Sequence, residues 1–276
     1  MKENEMGYQL IRRSMLFTYA VIVTVPLIVV LLGSLKSTPE LFSSPYALPT
    51  SLRLDNYAEV LGKQNLTTAF VNSMLVTVCS VGLTLFLASL AAYAATRITG
   101  WLIGVVYAFL ILGMAVPAQT NMVPQYVLFY SLGLTDSLVG LVLIHVVVTL
   151  PIAVFILTGF MRSLPRDIFE AASLDGSGPW RTYRQIVMPL SKPSLAATAI
   201  FLFVIHWNDV LYPLLLITDP DKKTLPLALL DFQGEYLTDY PLLFTGVIIA
   251  SAPVVLAYVF LQRYFIAGMT AGAIKG

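Results

Sequence analysis

Most of the residues able to do chemistry in this chain lie in apolar surroundings. His145, His206 and Asp209 fall inside long apolar runs, and Trp207, Asn208 and Tyr212 sit beside the last two. Ionisable groups placed this way are costly and point to function or to pairing between helices. Aromatic rings with an amide suit hydroxylated rings, through apolar faces and hydrogen bonds. Two readings of Trp207, Asn208, Asp209 and Tyr212 follow: a wall facing a substrate pathway, or a set that hydrogen-bonds neighbouring helices and touches no substrate. His145 fits an interhelical hydrogen bond. Two lone histidines without nearby Cys or Glu give no metal spacing, so no metal is expected. An intramembrane enzyme needs Ser with His, or two acids, within reach; no such partner set is evident, so no catalytic residue is expected. The phosphate loop Gly-x-x-x-x-Gly-Lys-Ser/Thr does not occur, so any ATP must be hydrolysed by another protein. Cys79 has no second thiol, which excludes a disulfide framework and a Cys-rich metal site.

The elements that position these residues follow from where charge is missing. The 276 residues are 58% hydrophobic and 11% charged, with a mean hydropathy of +0.82. An ordinary soluble domain carries about a quarter charged residues, so a soluble enzyme is close to excluded. A net charge of +1 offers a nucleic acid too few cationic contacts. A bilayer core needs about 20 apolar residues per helix. The uncharged gaps predict six spans, at about 15–35, 70–96, 101–118, 137–161, 194–217 and 241–263. The third is expected to leave the membrane at the Pro117 and Pro124 pair, with Gln119, Asn121 and Gln125. The first is longer than the 7–15 residues of a signal core, and is expected to stay as an anchor.

Basic residues are retained inside, which sets the orientation. With the amino terminus inside, eleven of the sixteen Lys and Arg fall on the inner side and five outside. Acidic residues divide the other way, giving about +6 inside and −5 outside, so both termini are expected in the cytoplasm. The inner segment 163–193 is too polar for the membrane and too patterned for a linker. Ser163 is expected to cap a helix with Pro165 in its first turn, and Ile168, Phe169, Ala171 and Ala172 to form its apolar face. Asp175 and Gly176 should break it, and a second helix should run from about Pro179, through Trp180, Tyr183, Ile186 and Val187, until Pro189 stops it. The pattern suits docking in another protein's groove, or an amphipathic helix held on the inner leaflet by Arg162, Arg166, Arg181 and Arg184.

That segment resembles the EAA loop of the membrane-spanning subunits of ABC importers. Glu170, Ala171, Ala172, Asp175, Gly176, Ile186 and Pro189 stand at the motif's offsets, with Met188 where Leu is usual, a volume-conserving change. The stretches NSMLVTV and AAYAATR within 72–97, WND at 207–209, TLPLALLDFQGEYLTDYPLLF at 224–244 and the closing RYFIAGMTAGAIKG are similar to the carbohydrate-importer branch, typified by the smaller membrane subunit of the maltose transporter. The resemblance covers nearly everything after residue 36. It implies an all-α polytopic membrane protein with six transmembrane helices and a cytoplasmic coupling helix, the whole of 1–276 forming one transmembrane domain. It further implies a permease subunit of a binding-protein-dependent importer, moving a sugar or oligosaccharide across a prokaryotic cytoplasmic membrane by alternating access. The implied partners are a second homologous permease subunit, an ATPase dimer seated on the EAA loop, and an extracytoplasmic sugar-binding protein probed by 219–241. The tail, with Ala271, Gly272, Lys275 and Gly276, would reach between the ATPase subunits, which hold the ATP and Mg; no cofactor is implied in this chain. The alternative, an ion-coupled secondary transporter, expects buried carboxylates or broken helices in paired halves. A single near-membrane Asp209 and no visible repeat fit it poorly.

Overall fold

Runs of twenty or more residues without charge, rich in Leu, Val, Ile and Ala, satisfy their backbone groups internally only as helices, and helices build this fold. The computed structural model describes residues 2–62, 64–98, 100–232 and 239–273. Among them all regular structure is helical: α1 (Lys2–Ser34), α2 (Thr38–Ser43), α3 (Asp55–Gly62), α4 (Gln64–Arg97), α5 (Trp101–Gly113), α6 (Met122–Ser131), α7 (Leu138–Arg162), α8 (Arg166–Leu174), α9 (Pro179–Leu190), α10 (Lys192–Trp207), α11 (Leu211–Leu216), α12 (Leu225–Leu229) and α13 (Tyr240–Ala273). Among the described residues four helices are individually long and apolar enough to cross a membrane: Tyr8–Ser34, Leu66–Arg97, Leu138–Arg162 and Tyr240–Phe260. Two bent pairs bring the total to as many as six, the number expected.

The second bend, of 73°, lies between Pro179–Leu190 and Lys192–Trp207, and the expected boundaries shift at the first bend and at a separate break after Trp207. Span three was expected over 101–118, but α5 ends at Gly113 and the chain turns by 96° into Ala118–Ser131. Pro117 sits extended at the corner, where its fixed φ and missing N–H favour a turn over a helix. Span five was expected over 194–217, but α10 stops at Trp207 and α11 restarts at Leu211. The helix that carries span one begins at Lys2, ahead of the apolar span at Tyr8–Ser34, and α13 runs beyond residue 263 to Ala273.

The chain divides into two compact units, one of 1–67 with 228–251 and one of 68–227 with 252–276. The first unit is organised around the end of α1. Asn56 Nδ2 donates to the carbonyls of Ser34 and Lys36, and the fully buried Lys36 donates through Nζ to the carbonyls of Ser44 (2.7 Å) and Pro45 (3.3 Å). A lysine removed from water is tolerated here because carbonyl dipoles accept from its ammonium and the Glu40 carboxylate stands near enough to interact with its charge.

The second unit packs α4, α7 and α10 with the 163–193 segment. Its core joins Ala88 and Ala92 of α4 to Ala153, Val154, Leu157 and Met161 of α7, Phe169 of α8, Val187 of α9 and Leu202 of α10. Along the buried face of α4 runs a stripe of small residues, Ala69, Ser73, Thr77, Ser80, Thr84, Ala88 and Ala92, at nearly regular helical spacing, beside the buried Leu66, Asn72 and Val76. Such stripes let backbones approach closely where lipid removes the hydrophobic drive between helices.

Candidate functional site

The 163–193 segment forms a helical elbow. Ser163 does not cap α8: it lies at the end of α7, where its hydroxyl donates to the Phe160 carbonyl. Pro165, held extended at ψ 137°, takes the cap position instead. Phe169 and Ala172 are buried and Ile168 half-buried as the helical spacing predicts, but Ala171 is exposed, because it follows Glu170 onto the outer side of this short helix. The helix stops where expected. The N–H of Gly176 donates to the Ser173 carbonyl and that of Ser177 to the Ala172 carbonyl, a Schellman closure that needs the left-handed φ of +69° at Gly176. Asp175 is the exposed end residue of α8. Pro189 does not stop α9, which runs on to Leu190. The turn before it, Tyr183–Val187, widens to π geometry and absorbs the proline's missing donor and ring bulk.

The elbow leaves an outward surface of Glu170, Ala171, Asp175, Trp180, Arg181 and Arg184, with Leu174 90% exposed. Its inner side is fastened to α4 at three points. Arg97 lies over the Phe169 ring, 2.9 Å from its centre. The Tyr93 hydroxyl donates to the Pro179 carbonyl at 3.0 Å, and its ring packs 5.3 Å from that of Tyr183. Ser89 and Tyr183 share a buried hydrogen bond of 2.7 Å. Because the Ser89 hydroxyl donates to the Phe86 carbonyl, Tyr183 is the donor in this pair. Ser89, Tyr93 and Arg97 recur every four residues, so one face of α4 carries all three contacts. Sequence reasoning missed them, although the i, i+4, i+8 spacing was there to be read.

The second polar constellation lies between α7 and the break in span five. His145 Nε2 is 2.9 Å from Asp209 Oδ2. Asp209 also accepts from the N–H of Leu211 (3.0 Å) and of Tyr212 (3.3 Å), and so satisfies two of the donors left open where α11 starts. The His145 and His206 rings stack at 4.7 Å. Thr149 donates to the His145 carbonyl, so His206 Nε2 is the donor to the Thr149 hydroxyl. Trp207 is buried between Phe203, stacked at 5.7 Å, and the edge of Phe70 at 5.6 Å. Asn208 is exposed and its amide folds back onto the Val204 carbonyl. Of the four residues expected along a substrate pathway, Tyr212 lines a groove. This groove, about 450 Å³, runs between the span-three corner, α7 at Pro151 and the span-five break, and it also presents Asn121, Gln125 and Thr149.

Asp136, just before α7, closes the same unit at its other end. It accepts from the N–H of Asp219 and Thr218 and pairs with Lys222 at 3.5 Å. These donors hold its carboxyl below the usual range, the Asp219 N–H most of all.

The chain matches the family model described as binding-protein-dependent transport system inner membrane component, over residues 84–271. The chain belongs to this family. It is 35% identical over 267 residues to the diacetylchitobiose uptake system permease protein NgcG of Streptomyces coelicolor, covering 96% of this chain and 88% of the relative. It is 34% identical over 253 residues to the melibiose/raffinose/stachyose import permease protein MelC of Bacillus subtilis, covering 91% of each. In fold it is similar to a chain of a bacterial ABC transporter involved in the import of the acidic polysaccharide alginate, with a TM-score of 0.84, 21% identity, and coverage of 95% of this chain and 98% of that one. As a member of this permease family the protein is an all-α, multi-pass membrane component of a carbohydrate ABC importer, and the ion-coupled alternative is set aside.

The remaining expected site residues are placed as follows. Glu170 and Asp175 are exposed on the elbow, Ile186 is half-buried in the π turn, and Pro189 is exposed within α9. Ala271 and Gly272 continue the backbone of α13, while Lys275 and Gly276 lie outside the described residues.

Proposed function

We infer that this permease moves a sugar or oligosaccharide by alternating access, with an ATPase subunit seated on the 163–193 elbow. The observation that carries the reading is the two-sidedness of the elbow. Its outer side offers Glu170, Leu174 and Trp180 to a partner, while its inner side is fastened to α4 through Phe169, Pro179 and Tyr183. Movement imposed on such an element passes to α4 as well as to α7 and α10, its neighbours in sequence. Closure of an ATPase dimer, driven by its own ATP and Mg, then tilts three spans together.

The rest of the assembly follows the resemblance. A second, homologous permease subunit completes the pathway, and 1–276 acts as one transmembrane domain within that pair. A sugar-binding protein docks outside against the 219–241 segment, of which 233–238 lie outside the described residues. Both termini are cytoplasmic by the placement of basic residues, and Ala271, Gly272, Lys275 and Gly276 reach the ATPase pair. The names of the relatives suggest the first solutes to try: diacetylchitobiose, melibiose and raffinose. The complex, isolated with its ATPase and binding protein and placed in proteoliposomes, is expected to couple ATP hydrolysis to uptake of one of these. Hydrolysis and uptake that respond to none of a wide set of neutral sugars would reject a sugar as the cargo.

A further inference from the structure

We propose that Asp136, with Asn72 and Ser73, is a positioning clamp that holds the outer loop 216–225 in the form against which the sugar-binding protein docks. The proposal rests on the importer reading, in which that protein meets the 219–241 segment, and adds to it the residues that set the loop's shape.

The loop leaves one core and returns to it. Leu216 and Ile217 at its start and Leu227 just past its end are buried together with Val76 of α4 and with Leu141 and Ile144 of α7. Between Ile217 and Leu225 regular structure is limited to the short turn Pro220–Lys222. Fixing such a stretch costs conformational entropy, and a surface loop can leave its backbone groups to water. This one is bonded from two sides instead. From the α7 side, Asp136 donates its N–H to the Leu216 carbonyl (2.6 Å) and accepts at Oδ1 from the N–H of Thr218 (3.0 Å) and of Asp219 (2.9 Å). Lys222 lies 3.5 Å from the other oxygen of Asp136 and 3.2 Å from Asp219. From the α4 side, the buried Asn72 donates through Nδ2 to the carbonyls of Asp221 (2.9 Å) and Lys223 (3.1 Å), and the buried Ser73 hydroxyl accepts from the N–H of Leu225 at 2.7 Å.

Asp136 makes its bonds at a backbone cost. Its φ is +53°, and among the described residues no other side-chain-bearing residue has a positive φ. Asp tolerates that region better than most, yet the conformation persists only where the surroundings hold it. Held so, both its N–H and its carboxylate meet the loop.

These bonds secure the inner side of the loop and leave Thr218, Pro220 and Asp221 exposed. A surface fixed before its partner arrives spares the complex the cost of ordering it, which is what a docking site gains from such a clamp. The anchors also bear on what lies behind the loop. Asn72 and Ser73 stand toward the outer end of α4, whose inner end carries Ser89, Tyr93 and Arg97 against the elbow. The clamp therefore seats a docked binding protein on the same helix that is fastened to the elbow.

Two measurements on the assembled importer decide the matter, with its binding protein loaded with diacetylchitobiose first and with melibiose and raffinose after it. In the first, ATP hydrolysis is followed as loaded binding protein is titrated. Asp136→Gly keeps the left-handed backbone and removes the carboxylate, and Asn72→Leu keeps the volume and removes the amide. Each should raise the half-stimulating concentration of binding protein about fivefold or more, as loss of ordinary hydrogen bonds from the docked form requires, with the maximal rate kept within about twofold. Asp136→Asn retains an oxygen that accepts both N–H bonds and should stay within about twofold of the parent. Half-stimulation unchanged in both Asp136→Gly and Asn72→Leu overturns the proposal, as does an Asp136→Asn variant as weak as Asp136→Gly. A fall in assembly and maximal rate with half-stimulation unchanged marks a merely structural joint and overturns it too. In the second, Thr218→Cys in a Cys79→Ser background carries a photo-crosslinker and is expected to form an adduct with the loaded binding protein, in a yield that Asn72→Leu lowers at least about threefold. No such adduct, or a yield indifferent to Asn72→Leu, overturns the proposal. An unaltered complex that no loaded binding protein stimulates overturns the importer reading and the clamp with it. A stimulated parent with indifferent variants overturns the clamp alone.

Discussion

The elbow at 163–193 and the polar cluster around Asp209 are both built from charged and aromatic residues, yet they use them in opposite ways. On the elbow, Glu170, Asp175, Arg181 and Arg184 stand exposed, and the segment is held from behind by rings and hydroxyls on α4. In the cluster, His145 and His206 are buried, and Asp209 is tied to its neighbours inside the helix bundle. Charge left in water is free to meet a partner. Charge withdrawn into the membrane must find its partner within the chain and becomes part of the architecture. The comparison teaches that the same residue types mark a docking surface in one place and a structural joint in the other.

The largest effect is expected on the exposed side. Glu170→Lys reverses charge at the centre of the docking surface and should abolish sugar uptake while the protein still inserts and pairs with its second permease, as read by uptake and membrane fractionation. Uptake at the parent level would break the comparison at once. Next comes Asp209→Asn. It removes the charged acceptor that faces the buried His145, and a hydrogen bond to a charged group contributes about 1.5–3 kcal/mol. A clear fall in the thermal stability of the complex is expected, with ATPase binding kept. A stability unchanged within error would mean that the cluster is not a joint.

A finer test separates the two partners of the buried hydroxyl pair. Ser89→Ala leaves the Tyr183 hydroxyl buried without an acceptor, at a cost of about 1–3 kcal/mol. Tyr183→Phe leaves Ser89 still bonded to the Phe86 carbonyl and should cost about 1 kcal/mol. Both should reduce sugar moved per ATP hydrolysed, Ser89→Ala the more, and the reverse order in a transport assay would contradict the assigned donor. The smallest effect concerns Asp136. Its carboxyl is held below the usual range in the folded state, so its contribution is present above the unfolded pKa and is lost as pH falls through the folded one. Asp136→Asn should therefore flatten the loss of stability below about pH 4 and change little at pH 7.

Much of this was legible in the residues and some was not, for physical reasons. Long uncharged gaps gave the spans, and Asp175 with Gly176 gave the end of α8, because the left-handed residue after a helix is a local demand. Proline was less informative. Pro117 marks a corner, Pro189 is absorbed by a π turn, and Pro26, Pro151 and Pro253 lie within helices, since neighbouring turns can take over the lost bond. The interruption at Asn208–Val210 falls on the polar run His206–Asp209, but that run fits a continuous span as well as a broken one, because a break held by a carboxylate depends on His145, which is distant in sequence. Likewise Gln125 and Asn121 read as the exit from a membrane span, and only the 96° corner returns them to a groove.

The central claim is that the outer side of the elbow seats the ATPase, and a photo-crosslinker at Leu174, a 90% exposed position on that surface, tests it most directly. With Leu174→Cys in a Cys79→Ser background, labelled and irradiated in native membranes containing the whole complex, the account predicts a covalent adduct with the ATPase subunit whose yield changes with nucleotide. Adducts formed with lipid alone, in every nucleotide state, would contradict it and return the elbow to a helix lying on the inner leaflet.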